Sequence, residues 1–115
     1  MHKKFGIANI EAGMPTAEEA KKKLLFEISA NKKQGIIALK IIHGYGSTGA
    51  GGKLRIEIRK LLVDKKREGV IRSFVAGEEW SIFNQSTREI LDHCKDLRQD
   101  ADLDKYNMGI TVVLL

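Results

Sequence analysis

The residues with the most evident chemical potential lie in one stretch, His43-Gly44-Tyr45-Gly46 followed after five residues by Gly52-Lys53-Leu54-Arg55. Five glycines fall between His43 and Lys53. A backbone without Cβ atoms can come close to a ligand, and it leads here into a helical pattern whose first N–H groups and dipole favour an anion. A phosphate group fits that combination. Lys53, Arg55 and Arg59 would supply charge, and the N–H groups of Gly51 and Gly52 geometry. Gly44 and Gly46 would allow close approach, while Tyr45 offers a ring on which a base can stack. His43 titrates near neutrality, so it suits either acid–base work on a phosphodiester or direct phosphate contact. It is equally suited to holding the loop through hydrogen bonds to backbone groups.

Two other glycine loops fit less well. A P-loop needs a glycine where Ser47 stands and a hydroxyl where Leu54 stands. Gly44, Gly46 and Gly49 do satisfy the dinucleotide spacing, but the helical pattern starts only after Gly52 and no second mononucleotide-binding half follows. No metal site is expected, because Asp92, His93 and Cys94 are consecutive on a helix and cannot all face one ion.

The elements that must hold this stretch are legible from periodicity. Phe5 to Ile10 reads as a strand with Phe5, Ile7, Ala8 and Ile10 turned inward. Pro15 ends it, and Thr16-Ala17-Glu18-Glu19 is a capping box for a helix that buries Ala17, Ala20, Leu24 and Ile28 and closes at Gly35. Ile36 to Ile42 is almost entirely apolar, as in a strand covered on both faces. A second helix is predicted from about Lys53 to Glu68, with Leu54, Ile58, Leu61 and Leu62 as its inner stripe. Val70 to Ala76 and Ile110 to Leu115 read as strands three and four. Between them, Ser86-Thr87-Arg88-Glu89 reads as a capping box for a third helix through Ile90, Leu91, Cys94 and Leu97, pinned at its start by Trp80 and Phe83. The order predicts one domain over 1–115, an α/β two-layer sandwich of the form βαβαβ(α)β.

Charge is unevenly spread. Up to Arg72 there are sixteen Lys/Arg against seven Asp/Glu, net +9; beyond it there are four against eight, net −4. A polyanionic partner therefore belongs to the first part. Hydrophobic content of 43% and charged content of 30% are those of a globular protein. The absence of a long apolar run, of a signal-peptide pattern and of any cysteine besides Cys94 points to a cytoplasmic protein with no membrane partner.

His43-Gly44-Tyr45-Gly46 with Gly52-Lys53-Leu54-Arg55 resembles the His-Gly-x-Gly block of the small MutS-related (Smr) domain. Gly109-Ile110-Thr111-Val112-Val113-Leu114-Leu115 is similar to that family's closing strand, and Val70 to Ala76 to its third strand. The resemblance implies a four-stranded mixed sheet with helices packed on it, similar to the C-terminal domain of bacterial translation initiation factor three. It also makes residues 78–106 look like a helical insertion in a connection that is usually shorter and glycine-rich. It implies RNA or DNA as partner, with RNA ahead, and endonuclease activity with Glu11 and His43 as catalytic candidates. No cofactor is expected apart from Mg²⁺ for a nuclease. The family's first block, Leu-Asp-x-His-Gly, is altered: Glu11 stands at its Asp position, Gly13 at its His position and Met14 at its Gly position. Two further classes stay open, a protein-interaction module using the acidic insertion and a small phosphate or nucleotide site in the glycine loop.

Overall fold

The structure, a computed structural model, describes residues 4–44 and 49–115, without the side chains of residues 49–51. Tyr45 and Gly46 lie outside the described residues. The strands are β1 (Phe5–Asn9), β2 (Ala38–Ile42), β3 (Ser73–Ala76) and β4 (Ile110–Leu114), and the helices are α1 (Ala17–Lys33), α2 (Gly49–Arg67) and α3 (Gln85–His93). Short 3-10 helices at Gly77–Glu79 and Lys95–Gln99 flank α3. The sheet order is β1-β2-β4-β3. β1 and β2 are parallel, as a strand–helix–strand crossover requires, while β4 is antiparallel to both β2 and β3. This is the expected four-stranded mixed sheet with helices packed on it.

Alternation along the strands builds two cores. Leu39, Ile41 and Val113 face α1 and α2, meeting Ala20, Leu24 and Ile28 of the first helix and Leu54, Ile58 and Leu62 of the second. Ala38, Ile110, Val112 and Leu114 face the other way, toward Trp80, Ile90, Leu91, Cys94 and Leu97. The central strands are therefore buried on both sides, which is why their sequences are near-continuous apolar runs. β1 lies at the sheet edge and is covered on one side near its end. Ala8 and Ile10 turn inward, but Ile7, expected in the core, is 60% exposed.

Thr16 caps α1 as the sequence predicts: its hydroxyl accepts from the Glu19 N–H at 3.2 Å, and the Glu19 carboxylate accepts from the Thr16 N–H at 2.9 Å. Several boundaries differ from expectation: β2 begins at Ala38 rather than Ile36, and α3 ends at His93, leaving Leu97 in a separate 3-10 turn. α2 begins at Gly49 rather than Lys53, so Gly49–Gly52 form its first turn. Packing of Leu54, Ile58 and Leu62 overrides the low helix propensity of glycine. α3 is capped by Asn84, whose side chain accepts from the Thr87 N–H, and not by Ser86; Thr87 is inside the helix and buried, its hydroxyl donating to the Glu79 carbonyl at 3.1 Å. β3 begins only at Ser73, since the N–H groups of Val70 and Ile71 are spent on the Lys65 carbonyl at the end of α2.

Residues 77–106 are tied to the sheet by a polar cluster within the second core. The Lys40 ammonium, on β2, is paired with Asp100 at 2.9 Å and with Asp102. The Trp80 indole N–H donates to Asp100 at 3.1 Å. Trp80 is buried, whereas Phe83, expected to help it, is 86% exposed. Asn84 opens α3 immediately after Phe83, and Phe83 is left facing solvent.

Candidate functional site

The glycine stretch leaves the sheet at the carboxyl end of β2, the edge at which open α/β sheets commonly bind ligands. His43 and Gly44 both donate their N–H groups to the Gly109 carbonyl, each at 3.0 Å, so the chain is clamped to the start of β4 before it departs. Gly44 has φ +75, and a Cβ there would run into the Glu11 carboxylate. The positive φ is what favours glycine at that point, since the exposed Glu11 side chain is free to swing aside.

Glu11 reaches Gly44 because the parallel strands β1 and β2 end side by side. Beyond β1 the chain turns about the Asn9 side chain, whose oxygen accepts from the N–H groups of Glu11 and Ala12, each at 3.1 Å. Gly13 (φ +81) and Met14 (φ 50) then carry the chain to Pro15. The two catalytic candidates from the sequence, thirty-two residues apart in numbering, thus lie at one sheet edge, with the Glu11 carboxylate exposed beside Gly44.

His43 is completely buried. Its Nδ1 lies 2.7 Å from the Gly44 carbonyl oxygen and its Nε2 lies 2.8 Å from the Thr111 hydroxyl. A carbonyl only accepts, so Nδ1 carries the proton, Nε2 is the acceptor and Thr111 donates to it. Arg59 completes the chain, donating from Nε to the Thr111 hydroxyl at 3.2 Å. Its two terminal nitrogens grip the Glu78 carboxylate at 2.9 and 2.7 Å, and one of them also reaches the Ile110 carbonyl at 3.3 Å. Burial pushes the His43 pKa down; the bond to the Gly44 carbonyl opposes this, and the charges of Arg59 and Arg55 reinforce it. The imidazole is accordingly neutral near pH 7. Burial would raise the Glu78 carboxyl, but the hydrogen bonds and charge of Arg59 hold it below its ordinary value.

Gly51 and Gly52 sit in the first turn of α2, where N–H groups lack intrahelical acceptors at the opening positions. Lys53 is exposed and Arg55 half-exposed, and among the described residues neither forms an ion pair. Arg59 differs from them. Its guanidinium is committed to Glu78, and only about a fifth of its side chain is exposed. The structure therefore brings Glu11 to Gly44 and Arg55 close enough to act on His43 and Glu78, while α2 opens five residues after Gly44 and carries Lys53 in its second turn.

Thr111, Glu78 and Lys40 did not stand out as members of any site. Thr111 and Lys40 each interrupt an apolar strand, and a lone polar residue in a strand buried on both faces signals a buried partner. Glu78 carries no such local mark. Among the described residues, no group of three or more His, Cys, Asp or Glu side chains is arranged to hold a metal ion.

A family model described as the Smr domain matches residues 12–81, well over half of the chain. The chain belongs to the Smr domain family. The match includes His43-Gly44-Tyr45-Gly46, Arg59 and Glu78, begins just after Glu11, and stops before Thr111. Smr domains are in general nucleic-acid-binding and nuclease-type domains. No curated protein and no solved structure matches this Smr domain significantly. Among its described residues, no helix is long and apolar enough to cross a membrane.

Proposed function

We propose that this Smr domain binds nucleic acid, RNA ahead of DNA as the partner, by electrostatic contact with the phosphate backbone. What supports the reading is that Gly44 ends the described chain after β2, α2 opens five residues later at Gly49, and two cations early in α2, Lys53 and Arg55, have no ion pairs among the described residues. Backbone N–H groups would position a phosphate and the cations would supply most of the affinity. The loop residues Tyr45 and Gly46 belong to the proposed contact on sequence grounds. In this reading His43 acts on the loop from behind, because both of its ring nitrogens are engaged within the protein. Cleavage of the strand would rest on Glu11 beside Gly44, with Mg²⁺ supplied from solution. Residues 78–106 are read as a helical insertion within one 1–115 domain.

The test is binding of the purified protein to labelled single-stranded RNA, duplex RNA and duplex DNA at two salt concentrations, with the Lys53→Ala/Arg55→Ala variant in parallel. The same mixtures, with Mg²⁺, are run on a denaturing gel. Salt-sensitive binding that weakens in the variant, with strands intact, is the expected result. Cleavage abolished by Glu11→Gln would establish a nuclease. Absence of binding at low salt would overturn the reading and favour protein recognition by residues 78–106, where Ile82, Phe83 and Tyr106 are exposed.

A further inference from the structure

We infer that Glu78, Arg59 and Thr111 are positioning residues for the entrance of the glycine loop, acting through His43 on Gly44. The inference rests on the nucleic-acid reading of that loop for its consequence, but not for its geometry. Four observations meet in it. The contact between Arg59 and Glu78 is bidentate, which fixes the plane and direction of the guanidinium. Arg59 thereby presents Nε–H to Thr111, whose oxygen accepts it and whose own proton is turned toward His43 Nε2. That bond leaves the His43 proton on Nδ1, where it holds the Gly44 carbonyl. Gly77, next to Glu78, is packed so closely on the start of β4 that a Cβ would meet the Asn107 carbonyl and lie 2.7 Å from the Ile110 carbonyl. The approach that brings Glu78 to Arg59 is thus built into the backbone.

The direction of every bond in this chain is determined. Arg59 can only donate and the Gly44 carbonyl can only accept, so the two groups between them, each able to do both, have one consistent arrangement. An imidazole in water favours the other tautomer and turns freely; here the ring is held by both ends. Gly44 has its N–H on Gly109 and its carbonyl on His43, so the backbone is held on either side of the Gly44 Cα. Such preorganisation lowers the ordering cost when a backbone phosphate binds. None of Glu78, Arg59 and Thr111 needs to touch the ligand.

The experiment uses the full chain and two readouts. Nitrogen-15 NMR of the imidazoles reports tautomer and pKa; of the three histidines, His43 is assigned by its loss in His43→Gln. Affinity and salt slope for a single-stranded RNA oligomer are measured on the same samples. Glu78→Gln and Thr111→Val are expected to shift the His43 Nε2 resonance, whose hydroxyl donor is displaced or removed, and to weaken binding about 3- to 30-fold with an unchanged salt slope, because no phosphate contact is lost. Thr111→Ser keeps the hydroxyl and should restore both. A folded Glu78→Gln or Thr111→Val with the His43 Nε2 resonance unmoved would overturn the inference, as would a shifted resonance with affinity intact while Lys53→Ala/Arg55→Ala weakens binding. If the unmodified protein binds no nucleic acid, the function proposed above fails and the NMR readout alone decides the positioning role.

Discussion

The Lys40 ammonium on the central strand and the Asp100 carboxylate sixty residues later are paired at 2.9 Å with only 9% of either side chain exposed. This pair, extended by Asp102 and by the Trp80 indole, adds a polar tie to the apolar packing of Trp80, Ile90, Leu91 and Leu97 that seats the segment after β3 on the sheet. It also spends two carboxylates of the acidic segment inside the protein. Less of that acidity is left for a partner than the residue count suggests.

Breaking the pair from one side should be costly. Lys40→Met leaves two carboxylates in or near the second core without their cation, and the expected loss is about 3 kcal/mol. The urea midpoint of Lys40→Met against the unmodified chain checks this; a change under about 0.5 kcal/mol, the usual size for a surface substitution, would mean that the cluster is solvated in solution.

Trp80 is the only tryptophan in the chain and is buried, so native emission should be blue-shifted and should move to the red on unfolding. Trp80→Ala is expected to destabilise by about 3–5 kcal/mol, through lost contacts and a cavity in the second core. Phe83→Ala should change stability by about 0.5 kcal/mol or less, as its ring is in solvent. Equal costs for the two would contradict the packing described.

His43 gives stability a pH dependence whose sign follows from its environment. Unfolded, the imidazole has its ordinary pKa near 6.5; folded, burial and the Arg59 and Arg55 charges keep it lower. The unfolded chain therefore takes up a proton that the folded chain refuses. The contribution is complete above about pH 6.5 and drains away as pH falls through the folded pKa. Denaturation midpoints at about pH 7.5 and about pH 5.5, on either side of that ordinary value, should differ less in His43→Gln than in the unmodified protein. Lys40 works in the opposite direction. Burial would lower its pKa, but bonds to Asp102 and Asp100 raise it, so its contribution is present below about pH 10.4 and lost as pH rises through the folded value.

The glycines of α2 and of the β3–α3 connection should respond oppositely to alanine. Gly52 lies in the helix with nothing within 4 Å of an added Cβ, and Gly52→Ala should stabilise by about 0.5–1 kcal/mol. Gly77→Ala has no room and should destabilise strongly, with loss of the Glu78 contact to Arg59. Thermal unfolding of both variants is the measurement; a neutral Gly77→Ala would show that the connection can draw back from β4.

The proposed interface predicts a specific salt response. If Lys53 and Arg55 each neutralise one phosphate of a single strand, Lys53→Ala/Arg55→Ala should make the plot of log affinity against log salt shallower by about 1.4. Titrations at three or more salt concentrations decide it. An unchanged slope would place the phosphate contacts elsewhere on the basic half.

Local rules settled much of this protein from sequence alone. The Thr16 capping box, the inner stripes of α1 and α2 and the doubly buried character of β2 are each written within a few neighbouring residues, since hydrogen bonds to the next turn and burial periodicity are short-range. The family, too, was carried by the short His43-to-Arg55 block. The register of Gly49–Gly52 was not legible, because glycine's weak preference is decided by what packs farther along the helix. Nor were the partners of His43, Arg59 and Lys40, which lie fifty-two to sixty-eight residues away for Thr111 and Asp100. Arg59 looked like a cation free for a ligand, and only the arrival of Glu78 at the start of β4 committed it elsewhere. Residue types and spacing state what each group is able to do; which groups remain free to do it depends on long-range contacts that exist only once the sheet has closed.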